Sequence, residues 1–323
     1  MSDLEDIKSF VEVVETGGFG RAARHLGVSK AIVSKRVARL ENKLGTRLLS
    51  RTTRSLTLTE AGLEFNDRCR RLLAELDEAF DAVAEHGGLL TGRLRVSTPV
   101  SFGRLHATRI FAEMAKQHPK LELDIHYSDS PVDLIAEGYD AAIRIGNLRD
   151  SSLVARRIAP IRAVVAASPD YLARHGRPQT PYEIAQHECL IYGAGSSVQE
   201  WPFYIGRQWV FIRPRGRVKV SSGEAVLQCA IEGLGLAGMP TFEAADAIQS
   251  GKLEAILLDY PMPEFGLYVV RPPGAHVPNR VRVLIDLLVE RFGGEPFWDP
   301  YHIAHRKLQA RAPEAPRPRK TRQ

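Results

Sequence analysis

The sequence predicts two folded units of different class: an α-rich winged helix-turn-helix at the N-terminus and an α/β domain of two subdomains behind it. Three features predict this. Residues 1–62 alternate short helical stripes with glycine stops and close on a Thr/Ser-rich ribbon, residues 63–88 hold a heptad seam, and beyond Gly92 strands alternate with helices. A length of 323 residues also exceeds what one hydrophobic core usually serves.

Leu4, Ile7, Phe10, Val11 and Val14 recur at three- and four-residue steps, giving a first helix capped at Asp3 and stopped at Thr16-Gly17-Gly18. A second helix is expected over about Arg21 to Leu26, with Gly27 in the left-handed position that closes it. Ser29 caps a third helix. Its Val33, Val37, Leu40 and Leu44 form a buried stripe, which leaves Ala31, Lys35, Arg39 and Asn42 facing outward. Two helices joined by a tight turn, the second basic on its free side, meet what the major groove of duplex DNA demands. A solvated basic surface helix is the competing reading of Lys30, Lys35, Arg36 and Arg39. The following Arg51-Thr52-Thr53-Arg54-Ser55-Leu56-Thr57-Leu58 favours the groove, because it reads as a β-ribbon with arginines near its tip.

From the cap Thr59, Phe65, Cys69, Leu72, Leu76, Ala79 and Val83 alternate steps of four and three. So narrow a seam on a helix of roughly 40 Å wants a partner helix. A homodimer or homotetramer is expected; packing of this face on the chain's own C-terminal domain is the alternative. Gly87-Gly88 ends the helix.

In the α/β part the expected strands are Leu94–Ser97, Leu121–His126, Ala141–Ile145, Ala163–Ala167, one near Lys219, Leu253–Leu257 and Leu267–Val270. The expected helices are Arg104–Lys116, Pro131–Glu137, Asp170–Arg174, Pro181–Gln186, Glu224–Glu232, Thr241–Ser250 and Asn279–Phe292. A mainly parallel sheet follows from such alternation. The last strand and helix return to the first subdomain, so two crossovers imply a cleft. Ligands in open α/β sheets sit beyond the carboxyl ends of strands, where helix N-termini offer free N–H groups. The corresponding loops are Thr98-Pro99-Val100-Ser101-Phe102 and Ser221-Ser222-Gly223. Thr98, Ser101 and Ser222 compete with a plain capping role. Arg144 is read either as the partner of an anionic effector or in an ion pair with Asp140 or Glu137.

Other chemistry finds little support. Cys69, Cys189 and Cys229 are odd in number and widely spaced, which fits reduced thiols rather than a disulfide framework or a zinc site. The histidines lack metal-ligand spacing. Gly233-Leu234-Gly235-Leu236-Ala237-Gly238 spells a dinucleotide fingerprint, but it follows a helix and meets Met239-Pro240, so a helix exit and a buried strand are expected. No nucleophile–base constellation stands out, and neither a metal, a cofactor nor a catalytic residue is assigned. No apolar run is long enough for a membrane span, and the acidic amphipathic start Met-Ser-Asp-Leu-Glu-Asp is unlike a signal peptide, so a cytoplasmic protein without membrane contact is expected. Seven basic residues against Glu314 between 303 and 323 account for the whole formal net charge of +6. Global basicity is therefore tail, not DNA-binding face.

Residues Phe10, Val13, Gly18-Phe19, Ala22-Ala23, Leu26, Val28-Ser29, Val33-Ser34, Leu40-Glu41, Leu44-Gly45, Leu48, Arg51, Leu58-Thr59 and Ala61-Gly62 closely resemble the LysR-type transcriptional regulators. Looser likeness continues through Gly92–Ser97, Gly138–Gly146, Ser168–Leu172 and Gly233-Leu234-Gly235. The resemblance implies a regulator of transcription that binds double-stranded promoter DNA, with a C-terminal effector domain similar to periplasmic solute-binding proteins. It makes Lys30, Ala31 and Lys35 base-reading candidates, puts Ser29, Ser34 and Arg36 near phosphates, and makes Arg51, Thr52 and Arg54 the wing. The family often carries Gln at the position of Lys30, and a lysine there favours guanine over adenine. The effector-binding candidates are Thr98, Pro99, Ser101, Phe102, Arg144 and Ser222, and RNA polymerase is a further expected partner. A small-molecule-binding α/β protein without regulatory role is the alternative. The expected division is 1–62 for DNA binding, 63–88 for the dimerisation linker, 89–300 for the effector domain and 301–323 for a basic tail. Within the effector domain, subdomain I takes about 92–160 and 267–295, and subdomain II about 161–266.

Overall fold

A computed structural model describes residues 3–51, 56–84, 89–148, 151–193, 200–273 and 277–299. The chain separates into two compact units with their main boundary between Gly92 and Arg93; residues 135–138 and 275–279 cluster with the first.

In the N-terminal unit, α1 (Asp3–Thr16), α2 (Phe19–His25) and α3 (Lys30–Leu44) close around Phe10, Val13, Ala22, Val33 and Val37, all inaccessible to solvent. Gly27 turns between α2 and α3 at a φ of 63°, a left-handed value that suits glycine. Ser29 Oγ then accepts from the Ile32 N–H and caps α3. Leu44, expected in the buried stripe, is instead 41% exposed, because α3 stops there at a left-handed Gly45 before another turn can cover it. Asp3 is the first residue of α1 and is ion-paired with Lys43 at 2.6 Å. Strands β1 (Leu49–Arg51) and β2 (Leu56–Leu58) pair antiparallel as the ribbon. The carboxylate of Glu41 on α3 ties it down, accepting from the Leu48 and Leu49 N–H groups at 2.9 and 3.1 Å. Thr59 Oγ1 accepts from the Gly62 N–H and starts α4 (Glu60–Ala84).

The C-terminal unit holds two five-stranded sheets. The elements after α4 are, in chain order, β3 (Thr91–Thr98), a short α5 (Val100–Phe102), a π-turn (Gly103–Ala107), α6 (Thr108–Gln117), β4 (Lys120–Tyr127), α7 (Leu134–Glu137) and β5 (Ala141–Gly146). There follow β6 (Val154–Ile161), β7 (Ala163–Ala167), α8 (Pro169–His175), a 3-10 turn (Pro181–Gln186), β8 (Cys189–Tyr192), β9 (Trp201–Ile205) and β10 (Gln208–Ile212). The chain continues with β11 (Val218–Val220), α9 (Gly223–Ile231), β12 (Leu236–Pro240), α10 (Thr241–Gln249), β13 (Glu254–Ile256), β14 (Phe265–Arg271) and α11 (Asn279–Phe292). The first sheet has the order β4-β3-β5-β14-β6 and the second β11-β8-β12-β7-β13. Helix formation after β3 begins at Val100, earlier than expected, and passes through the π-turn.

The sheets are mixed rather than mainly parallel. β3 with β5, and β8 with β11 and β12, run parallel; β14 lies antiparallel to β5 and β6, and β7 antiparallel to β12 and β13. The reason is the crossover. The chain leaves the first sheet at β6, enters the second directly at β7, and returns on β14 between two strands already in place. The Gly233–Gly238 run leaves α9 and enters the central strand β12, and Leu236 and Ala237 are wholly buried.

Candidate nucleic-acid interface and ligand cavity

The start of α3 presents an exposed surface. Ser29, Lys30, Ala31 and Lys35 are exposed and Ser34 is half-buried. Arg36 does not join them. Its guanidinium pairs with Glu5 of α1 and donates to Ser9 Oγ, and its side chain keeps only 14% exposure. Arg39 is likewise held by both carboxylate oxygens of the buried Asp6. The basic face read from the sequence is thus two groups: Lys30 and Lys35 at the surface, Arg36 and Arg39 clamping α3 to α1. Spacing along α3 could not separate them, because the carboxylates of α1 lie about thirty residues away. In the ribbon, Thr52 and Arg54 fall outside the described residues, and of Arg51 only the backbone, paired opposite Leu56, is described.

The seam of α4 divides too. Phe65 and Cys69, expected against a partner helix, both pack on the core of their own N-terminal unit. The Phe65 ring lies 5.8 Å from that of Phe10, and Cys69 is 1% exposed, its thiol pushed up to about 11 by burial. Leu72 is free of that core at 59% exposure, and Leu76 is half-buried. The side chains of Ala79 and Val83 lie outside the described residues. Gly62 sits where α4 crosses the ribbon, and a Cβ there would stand 2.0 Å from the Leu48 carbonyl oxygen.

In the C-terminal unit a cavity of about 450 Å³ opens at the ends of the two sheets. Pro99, Ser101, Phe102 and Arg144 line it. Thr98 and Ser222 do not. Thr98 is wholly buried, with its methyl against the π-turn at Gly103, and Ser222 spends its Oγ capping α9 through the Ala225 N–H. Arg144 donates to Ser97 Oγ at 3.2 and 3.3 Å, while Asp140 accepts from Arg280 and from the Arg95 N–H instead of from Arg144. Phe102 forms one wall and also the centre of a buried aromatic cluster with His106, Phe242, Phe292 and Trp298. Burial lowers the His106 pKa, so its ring favours the neutral form there.

The remaining lining was not legible in the sequence. Trp201, Met239, Met262 and Phe265 supply an apolar wall, and Asp129, Arg162, Glu200 and Glu243 supply charge. Glu243 is 9% exposed and its pKa is raised, foremost by burial, which outweighs a hydrogen bond from Ser101. As an acid in the first turn of a helix it reads in sequence as an ordinary surface residue.

Two family models match this chain. One, described as bacterial regulatory helix-turn-helix protein, lysR family, covers residues 4–63; the other, LysR substrate binding domain, covers residues 87–293. An uncharacterized HTH-type transcriptional regulator of Haemophilus influenzae is 38% identical over 281 residues, which span 87% of this chain and 98% of that protein. The HTH-type transcriptional regulator PtxR of Pseudomonas aeruginosa is 35% identical over 91% of this chain and 95% of its own. The solved structure of CrgA, a LysR-type transcriptional regulator from Neisseria meningitidis, superposes with a TM-score of 0.59 at 34% identity, covering 90% of this chain and 99% of that one.

Proposed function

The chain belongs to the LysR-type transcriptional regulators, and on that premise we propose how its residues divide the work. It is a DNA-binding transcription regulator, with a winged helix-turn-helix and an effector-binding domain. Its relatives are regulators of transcription, and we assign the chain no catalytic residue. We place DNA binding in 1–62, the linker in 63–88, the effector domain in 89–300 and the basic tail in 301–323.

Lys30, Ala31 and Lys35 read bases, Ser29 and Ser34 contact phosphates, and Arg51, Thr52 and Arg54 form the wing. The observation that carries this assignment is the exposure of Lys30 and Lys35 at the start of α3 while Arg36 and Arg39 are spent on α1. Arg36 is therefore assigned to holding α3 in place. Lys35→Ala is expected to cut the preference for the native promoter over random duplex about tenfold. Arg51→Ala weakens all duplexes alike and lowers the salt dependence by about one counterion. Footprinting over the promoter neighbouring the gene, with competitor titrations at several salt concentrations, separates the two; a footprint untouched by Lys35→Ala removes α3 from base reading.

The protein acts as a homodimer or homotetramer paired through the free part of α4. Leu72 and Leu76 lead that surface. Leu72→Glu is expected to shift the sedimentation coefficient toward monomer at micromolar concentration, and an unchanged coefficient moves the pairing surface elsewhere. The effector occupies the cavity beside Pro99, Ser101 and Phe102, and an acidic group on it meets Arg144. Action in the cytoplasm and contact with RNA polymerase complete the reading; among the described residues no helix is long and apolar enough to cross a membrane.

A further inference from the structure

Among the described residues lining the cavity, three buried polar atoms lack a hydrogen-bond partner: Arg162 Nε, which faces Glu264 at 3.1 Å, the indole Nε1 of Trp201, and one carboxylate oxygen of Glu243, the acceptor of the three. Glu243, in the first turn of α10, lines the cavity with more than nine-tenths of its surface buried. Its Oε2 has no hydrogen-bond partner among the described residues, although Ser101 serves the same carboxyl group. Room for this carboxyl is made by the opposite element. Gly223 opens α9, and a Cβ on it would stand 2.3 Å from Oε2 and 2.6 Å from Oε1. Any other residue at 223 would push the carboxyl out of its place.

The groups around Oε2 do not offset its charge. Asp129 on the same wall and Glu224 on α9 both act electrostatically against ionisation of Glu243. An acceptor oxygen held out of water without a donor is costly, and such atoms in native proteins call for an explanation, an absent ligand among them. Beside it the lining is mostly apolar: Trp201 is 2% exposed, and its ring packs so close to β12 that a Cβ on Gly238 would come within 2.8 Å of it, with the indole N–H left as a second unanswered polar group. Met239 and Phe242 extend the same lining.

Resting on the reading of this cavity as the effector site, we propose that the effector is a small organic amine, whose ammonium group donates to Glu243 Oε2 while its apolar body lies along Trp201, Met239 and Phe242. An ammonium supplies both the missing donor and the missing positive charge. Arg144 lines the same cavity and serves a different end of the molecule, so an acidic group there is compatible with an amine here.

The test uses the full-length protein with methyl-labelled methionine. Met239 and Met262 line the cavity, whereas Met114 is buried in the hydrophobic core and is not part of its lining, so it reports on the fold. 2-Phenylethylamine and phenylacetate are titrated separately. The expected result is that the amine shifts the Met239 and Met262 signals, and that Glu243→Gln weakens its binding at least tenfold while changing that of phenylacetate less than twofold. Ser101→Ala, which frees the carboxyl without removing it, is expected to give a smaller loss and guards against a folding defect in Glu243→Gln. Amine binding unchanged by Glu243→Gln, or a response to phenylacetate alone, overturns the amine proposal and leaves the cavity as the effector site. No response of Met239 and Met262 to either probe overturns both.

Discussion

Replacing Arg162 by leucine is expected to cost the C-terminal unit about 3 to 5 kcal/mol, the range for removing one partner of a buried ion pair. Arg162 is the residue between β6 and β7, the first crossover between the sheets. Its guanidinium reaches Glu264, on the return crossover just before β14, at 3.1 Å. It also reaches Glu295 at 3.1 Å and Asp299 at 2.8 Å, in the turn that follows α11. Asp299 is 1% exposed, so without Arg162 a carboxylate is left out of water with no counter-charge. Denaturant unfolding followed by tryptophan fluorescence measures the loss, since Trp298 is buried next to Asp299. Arg162→Leu combined with Asp299→Leu should recover most of it, because removing both charges removes the uncompensated burial. A double variant as unstable as the single one would mean that the guanidinium's packing, not its charge, matters at the crossover.

Gly62→Ala should damage the N-terminal unit in the opposite direction from helix propensity. In an open helix the change gains about 1 kcal/mol. Here the added methyl meets the Leu48 carbonyl oxygen at 2.0 Å, and that atom belongs to backbone held by Glu41 and Thr59. Overpacking against such a neighbour costs about 3 to 4 kcal/mol, for a net loss of about 2 to 3. The expected outcome is a lower melting temperature for the N-terminal unit and loss of promoter binding, with Met239 and Met262 resonances unaltered. A Gly62→Ala protein that melts and binds like the parent would show that α4 can slide off the ribbon without cost.

Elements with strong local signals were legible in the sequence. Helix α11 spans Asn279–Phe292 as its periodicity predicts, Gly27 takes the left-handed φ expected of it, and the stop at Gly17 is also made at positive φ. Strands β6, β8, β9 and β10 were not foreseen. β6 carries Arg156, Arg157 and Pro160, which break the alternation of a half-buried strand; the structure tolerates them because β6 lies at the sheet edge. The hairpin of β9 and β10 turns at Gly206-Arg207, both at positive φ, where the usual Asn-Gly signal is absent. Periodicity also marked Phe65 and Cys69 as buried, but it carries no information on which surface buries them. Most of the cavity lining was hidden for a related reason: Glu243, Trp201 and Arg162 are far apart in sequence and are brought together only by the crossover.

The docking of Phe65 and Cys69 onto the helix-turn-helix core makes the first turns of α4 a rigid extension of the DNA-reading head. If the chain pairs through α4 as proposed, with the intermolecular contact beginning near Leu72, that starting point sets the gap between the two recognition helices. On that proposal the operator's half-site spacing would be measured by the residue count from Cys69 to that point. Each residue inserted there would rotate a head by about 100° and shift it by about 1.5 Å, so the phase of the cognate site along the DNA would be written into the length of this helix.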